Sequence, residues 1–161
     1  VDQLWAPWRL SYVTQPAKDG PAGDDCFICR GVAEADDRRN LIALRSALSV
    51  VVLNRFPYNN GHLLVAPRAH KAGPDDLSDA ETLDLQRLLV RMTGELRRLM
   101  RPDGFNVGLN LGRVAGAGLP GHLHWHLVPR WAGDTNFMSV VSDTRVIVQS
   151  LDALYDLLAG G

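Results

Sequence analysis

The chain lacks any apolar run near the ~20 residues a membrane helix requires, and Val1–Leu10 does not show the basic-then-apolar order of a secretion signal. It also lacks an excess of either charge: 17 Lys and Arg against 18 Asp and Glu leave a formal net charge of −1. No global field exists to hold a polyanion, which argues against long nucleic acid as the main partner and leaves room for a local anion pocket. Cysteine is scarce. The two that occur, Cys26 and Cys29, stand in a Cys-x-x-Cys spacing, which is no disulfide framework; in a reducing compartment such a pair is usually metal-binding or redox-active. Internal repeats and low-complexity tracts are absent as well. Together these absences predict a cytoplasmic protein without a membrane span.

What is present fits one domain. A chain of 161 residues with 46% hydrophobic and 22% charged content is the size of a single core. The first residues, with Trp5-Ala6-Pro7-Trp8-Arg9 and a Pro/Gly/Asp-rich loop from Gln15 to Asp25, read as an arm over residues 1–25, because no period is sustained there. Short β-rich runs follow at Leu41–Leu44, Leu48–Leu53 and His62–Ala66. The turn before the third, Pro57-Tyr58-Asn59-Asn60-Gly61, suits positive φ near Asn60-Gly61. Ser78-Asp79-Ala80-Glu81 matches a capping box. Leu85, Leu88, Leu89, Met92, Leu96 and Leu99 then recur at helical spacing until Pro102-Asp103-Gly104. A strand at Phe105–Leu111, a glycine-rich loop at Gly112–Gly121, a strand at His122–Val128 and an amphipathic helix at Val146–Leu158 complete the chain. The order β-β-β-α-β-β-α predicts an α+β domain with a mainly antiparallel sheet.

Three of the five histidines sit at His122, His124 and His126. Side chains alternate along a strand, so the three imidazoles share one face, while Leu123, Trp125 and Leu127 enter a core. Burying three imidazoles side by side is expensive unless each has a polar partner. Three separately satisfied structural histidines fit this alternation badly. Two chemistries fit it better: a metal centre, since neutral imidazole is a common zinc ligand, and nucleophilic catalysis, in which one imidazole attacks and its neighbours stabilise charge. Gly112, Gly116, Gly118 and Gly121 precede the strand, and such a loop lets backbone N–H groups approach an anion closely. A glycine-lined loop running into three imidazoles suggests phosphate.

The segment Gly118-Leu119-Pro120-Gly121-His122-Leu123-His124-Trp125-His126-Leu127-Val128 resembles the histidine triad motif of the HIT family. Asn54 through Val65, with His62 inside it, is similar to that family's upstream nucleotide-binding segment. The likeness spans roughly residues 26–130, with 131–161 as a C-terminal extension. It implies a HIT-like fold with a five-stranded, mainly antiparallel sheet, one long helix and a C-terminal helix. It also implies a nucleotidyl hydrolase or transferase acting at an α-phosphorus. By position, His124 is then the nucleophile that forms a nucleotidyl-histidine intermediate. His126 and His62 would contact phosphate oxygens, and His122 would orient the central imidazole. Asn54 matches a ribose or base contact, and Asn110 a polar group facing the phosphates. Many members carry Gln and then Ser or Thr four and three residues before the first triad histidine. Here Gly118 and Leu119 stand there, so backbone N–H groups of the loop around Ala117 and Gly118 must replace those side chains, and substrate preference does not carry over from the eukaryotic hydrolases.

The Trp-Ala-Pro-Trp-Arg arm and the stretch from Val128 to Met138 are similar to bacterial members linked to diadenosine polyphosphates. In that branch diadenosine tetraphosphate is cleaved with phosphate or water as acceptor, and Trp131 becomes a candidate nucleotide contact or a strand-end packing residue. Cys26, Cys29, His70 and His122 look like the zinc set of the members that carry Cys-x-x-Cys. Two thiolates and two imidazoles suit a closed, structural tetrahedral site. The resemblance further implies a homodimer, for which the Ser78–Arg101 helix can supply part of an interface, and a nucleotide substrate that a divalent cation can accompany. An adenosine 5'-phosphoramidase and a slowly turning over nucleotide-binding signalling module are the alternative readings.

Overall fold

A computed structural model of the chain describes residues 26–134 and 147–160. The arm over 1–25, Thr135–Met138 and Val146 lie outside them. The elements are α1 (Phe27–Ala33), β1 (Ile42–Arg45), β2 (Ser49–Leu53), β3 (Leu63–Pro67), a 3-10 turn at Pro74–Asp76, α2 (Asp79–Met100), β4 (Gly104–Leu109), β5 (Trp125–Arg130) and α3 (Leu151–Ala159). The sheet has five strands in the order β1-β2-β3-β5-β4, and every neighbouring pair is antiparallel. The α+β class expected from the sequence is therefore the observed one.

β2 is buried at every position. Val51 and Leu53 enter one core, and Val50 and Val52 the other, which is why three successive valines suit a strand covered on both faces. On the first face α2 lays Leu85, Leu88, Leu89, Met92 and Leu96 against Leu63, Val65 and Leu127, and α3 adds Leu154. Each such buried side chain contributes about 1.5–3 kcal/mol relative to exposure. Ser78 caps α2: its side chain accepts from the Glu81 N–H, and the Glu81 carboxylate accepts from the Ser78 N–H. Arg101 ends the helix in the left-handed region at φ 50, and Pro102 cannot continue it. The second core takes strand residues only from β1, β2 and β3.

Three local details differ from the sequence reading, and a fourth, the turn at Gly61, makes it more specific. The helix α1 was not anticipated; Cys26 is its N-cap and accepts from the Cys29 N–H. Positive φ is found at Gly61 (φ 75) and not at Asn60; a Cβ at Gly61 would meet Met100 Sδ at 2.9 Å. The last helix begins at Leu151 rather than Val146, because Ser150 caps it by accepting from Ala153 N–H. The fifth strand begins at Trp125 rather than His122. Upstream of it the Leu123 N–H donates to the Lys71 carbonyl at 2.6 Å, which takes this segment away from the sheet ladder.

Candidate active site

That displacement changes how the three imidazoles are used. His126 lies on β5 opposite Leu64 and Gly108, and so shares the face of the second core. His124 sits beside it, with ring centroids 5.1 Å apart at 69°. His122 is fully buried, and its ring turns toward Cys26 and Cys29 instead of continuing an evenly spaced row. The expected row of three imidazoles on one strand face is therefore replaced by a pair and a separated third ring.

The hydrogen bonds fix where the protons lie. His124 Nδ1 is 2.8 Å from the His122 carbonyl oxygen. A carbonyl only accepts, so Nδ1 carries the hydrogen and Nε2 presents its lone pair in the neutral ring. A second chain of bonds starts at the Tyr58 backbone N–H, which donates to His62 Nδ1 at 3.0 Å; Asn54 Nδ2 approaches the same nitrogen at 3.2 Å. His62 must then be protonated at Nε2, which lies 2.9 Å from His126 Nδ1. His126 in turn carries its hydrogen on Nε2. Burial first, and then the charge of His124, lower the His126 pKa to about 4, so the ring is neutral at pH 7 and donates through Nε2. Asn110 Nδ2 lies 3.3 Å from that nitrogen. Both are donors, and an anionic oxygen set between them satisfies both.

The neighbouring loop is folded on itself. Gly116 N–H donates to the Arg113 carbonyl and Ala117 N–H to the Gly112 carbonyl, so Ala117 is not the free donor that the sequence reading required of the loop. Gly118 N–H has no partner among the described residues. Asn54 reaches His62 on one side and lines a cavity of about 230 Å³ on the other, with Phe27, Arg30, Leu41, Val52 and Phe56. Pockets that take drug-sized ligands measure about 300–1,000 Å³, so this smaller space suits one ring system rather than a whole dinucleotide. Trp131 is placed elsewhere: its indole N–H donates to the Met100 carbonyl at 3.3 Å, and it borders a second cavity of about 610 Å³ with Leu99, Asn60 and Leu157. Phe27, Phe56 and Tyr58 were not among the residues singled out in the sequence. Only their closeness to Cys26, Asn54 and His62 along the chain marks them there.

Cys26, Cys29, His70 and His122 could hold a metal ion: one donor atom from each lies within 4.8 Å of all the others. Cys26 Sγ and Cys29 Sγ are 3.2 and 3.4 Å from His122 Nδ1, and Cys29 Sγ is 3.2 Å from His70 Nδ1. Bond lengths of about 2.0–2.3 Å to a tetrahedral zinc give ligand–ligand edges of roughly 3.3–3.8 Å, close to these three of the site's six edges. His122 Nε2 is 2.8 Å from the Pro67 carbonyl, so Nε2 carries the hydrogen and Nδ1 offers a lone pair toward the sulfurs. Burial, and then Cys26, push the Cys29 thiol up to about 11, a cost that a cation between the sulfurs offsets. Arg45 fastens α1 beside this cluster by donating to the carbonyls of Gly31, Val32 and Glu34 at 2.7, 2.9 and 3.0 Å.

Comparison with known proteins places the chain in a family. The family model for the HIT domain matches residues 37–133. The chain is 38% identical over 162 aligned residues to a protein of Mycobacterium tuberculosis named AP-4-A phosphorylase, covering 99% of this chain and 83% of that one. Two solved structures share the fold. A hypothetical histidine triad nucleotide-binding protein from Sulfolobus tokodaii superimposes with a TM-score of 0.67 at 20% identity, covering 84% of this chain and 90% of that one. A Zn-bound histidine triad family protein from Mycobacterium smegmatis superimposes with a TM-score of 0.66 at 23% identity, covering 84% and 91%. With that model match over most of the chain and a relative similar along almost its whole length, the chain belongs to the HIT family.

Proposed function

We propose that this enzyme is a nucleotidyl hydrolase or transferase that cleaves a dinucleoside polyphosphate, such as diadenosine tetraphosphate, at an α-phosphorus. The observation that carries the reading is the bond from His124 Nδ1–H to the His122 carbonyl, which leaves Nε2 with the lone pair that a nucleophile needs. His124 Nε2 attacks the α-phosphorus, an N–P bond forms, and the P–O bond to the next phosphate breaks, releasing a nucleoside polyphosphate. The positive charge left on the His124 ring is held through Nδ1–H by the His122 carbonyl. Water or inorganic phosphate then attacks the same phosphorus, the N–P bond breaks, and the ring returns neutral. His126 Nε2–H, Asn110 Nδ2 and the Gly118 N–H are the donors for the phosphate oxygens, where charge develops in the transition state. Asn54 meets the ribose, and the 230 Å³ cavity beside it takes the base. The name of the M. tuberculosis relative supports this substrate class.

The same reading places a structural zinc on Cys26, Cys29, His70 and His122. A closed four-ligand site supplies no reactive position; it ties α1 to the segment that carries His124. A homodimer in which α2, with Val90 exposed, supplies part of the interface, and a cytoplasmic setting, which keeps the free Cys26 and Cys29 reduced, complete the proposal. The test is product analysis with diadenosine tetraphosphate, with and without phosphate. ADP and ATP with phosphate report phosphorolysis, and AMP and ATP report hydrolysis. Binding without turnover would overturn the enzymatic reading in favour of a nucleotide-binding module.

A further inference from the structure

Tyr58 meets both imidazoles of the His62–His126 pair, His62 through its backbone and its ring and His126 through its ring. Its backbone N–H donates to His62 Nδ1 at 3.0 Å. Its ring lies 5.4 Å from the His126 ring at 23°, a stacked pair, and 4.6 Å from the His62 ring at 40°. The side chain belongs to neither hydrophobic core and is 46% exposed, so its contribution to packing is small for an aromatic. The turn that carries it is held at several points. Asn54 Oδ1 accepts from Phe56 N–H at 3.0 Å, His62 N–H donates to the Asn59 carbonyl at 3.2 Å, and Asn59 Nδ2 donates to the Pro129 carbonyl at 3.2 Å and to the Asp134 carboxylate at 2.7 Å. A half-exposed ring on a braced turn, face-on to a histidine that must aim one N–H at a phosphate, is placed to set that histidine's plane.

We propose that Tyr58 is the positioning residue of this site: its backbone N–H fixes the protonated nitrogen of His62 and hence of His126, and its ring face holds the His126 plane and shields it from water. This rests on the functional reading above for its catalytic consequence, but not for the state of the imidazoles themselves. The groups facing His126 are His62 from the turn before β3, Tyr58 from the same turn, His124 from its own segment and Asn110 from the end of β4. No carboxylate contacts it among the described residues, so water is the main agent that can favour the imidazolium. Removing the ring admits water and raises the His126 pKa from its depressed value, while the backbone donor survives any substitution except proline.

The experiment combines imidazole ¹⁵N NMR of ligand-free protein across pH with steady-state kinetics on diadenosine tetraphosphate, for the wild type and Tyr58→Phe, Tyr58→Ala and Tyr58→Leu. In the wild type His126 reports Nε2–H and resists protonation to well below the usual histidine range. Tyr58→Phe keeps both the NMR behaviour and kcat. Tyr58→Ala moves the His126 midpoint up toward the ordinary histidine range and lowers kcat about tenfold or more, with KM within threefold, as expected when a catalytic donor loses its alignment. Tyr58→Leu, which keeps apolar bulk without a flat face, loses kcat similarly and covers the case of an unfolded alanine variant. The proposal is overturned if the alanine and leucine variants match the wild type, if phenylalanine loses as much as alanine, or if KM alone changes. Should the wild type fail to turn over the dinucleotide, the functional reading fails, and the His126 titration still decides the role of Tyr58.

Discussion

Replacing His62 by alanine and by phenylalanine tests the hydrogen-bond chain through an ordering that size alone would invert. His62 is 1% exposed; its Nδ1 accepts from Tyr58 N–H, and its Nε2–H donates to His126 Nδ1. Phenylalanine replaces the imidazole with a larger all-carbon ring, leaving one part-buried donor and one part-buried acceptor unmet, each at a cost of up to about 1–3 kcal/mol. Alanine opens a polar space in which a water can accept from Tyr58 and donate to His126, so part of that loss is recovered. The same water keeps the hydrogen of His126 on Nε2, whereas phenylalanine frees the ring to present a lone pair to the phosphate. Losing one such donor costs about a hundred- to a thousandfold in kcat. The expected order in both urea midpoint, at constant m-value, and kcat is wild type above alanine above phenylalanine. If the phenylalanine variant equals or exceeds the alanine variant in stability and rate, the assignment of His62 as a proton-ordering residue is wrong.

Other consequences are open to direct measurement. Treatment with a chelator, or the substitution Cys29→Ser, should lower both the unfolding temperature and kcat, since the ring of His122 sits in the cluster and its carbonyl holds His124; metal content by mass spectrometry should track the loss, and a protein that is metal-free and fully active would contradict the proposed metal site. Hydrogen bonding from Lys71, and then from Ser78, holds the Glu81 carboxyl down to about 2 from its ordinary 4.5. A carboxylate depressed on folding adds stability above the unfolded value that is lost as pH falls. Acid unfolding should therefore steepen between about pH 4.5 and 2, and Glu81→Gln should flatten that window. Leu96→Ala, at a position with no exposure, should cost about 2–5 kcal/mol in denaturant unfolding and leave KM unchanged; a cost under 1 kcal/mol would mean that α2 is not seated on the sheet as described.

Most of the sheet and the long helix were legible because they rest on local signals that packing reinforces. The Ser78–Glu81 box and the leucine spacing of α2 are such signals, as are the run of β2 and the glycine of the Asn60-Gly61 turn. α1 was not legible as a helix. Phe27–Ala33 is only seven residues long and contains Gly31 and the β-branched Ile28 and Val32, which are weak helix formers. What holds it is tertiary: Arg45 at its carbonyl end, Gly31 closely packed on Asn40 and Ile42, and the cysteine cluster at its start. The Cys-x-x-Cys spacing carried the clue, since it is the distance from an N-cap to the third helical residue. In the site, alternation placed His124 and His126 on one face but could not show that His122 leaves the ladder. The competitors that win, the Pro67 carbonyl for the His122 ring and the Lys71 carbonyl for Leu123 N–H, are distant in sequence or set by backbone geometry. The order of protons along Tyr58, His62 and His126 is likewise invisible in residue types, because its first donor is a main-chain amide.

The account turns on covalent bonding at His124, and the most direct test is intact-protein and peptide mass spectrometry of rapidly quenched reactions with diadenosine tetraphosphate. It predicts a transient adduct of one AMP moiety on the His124 peptide, labile to acid and absent from His124→Ala, which should still bind nucleotide. Full turnover by His124→Ala, or an adduct located on another side chain, would contradict it.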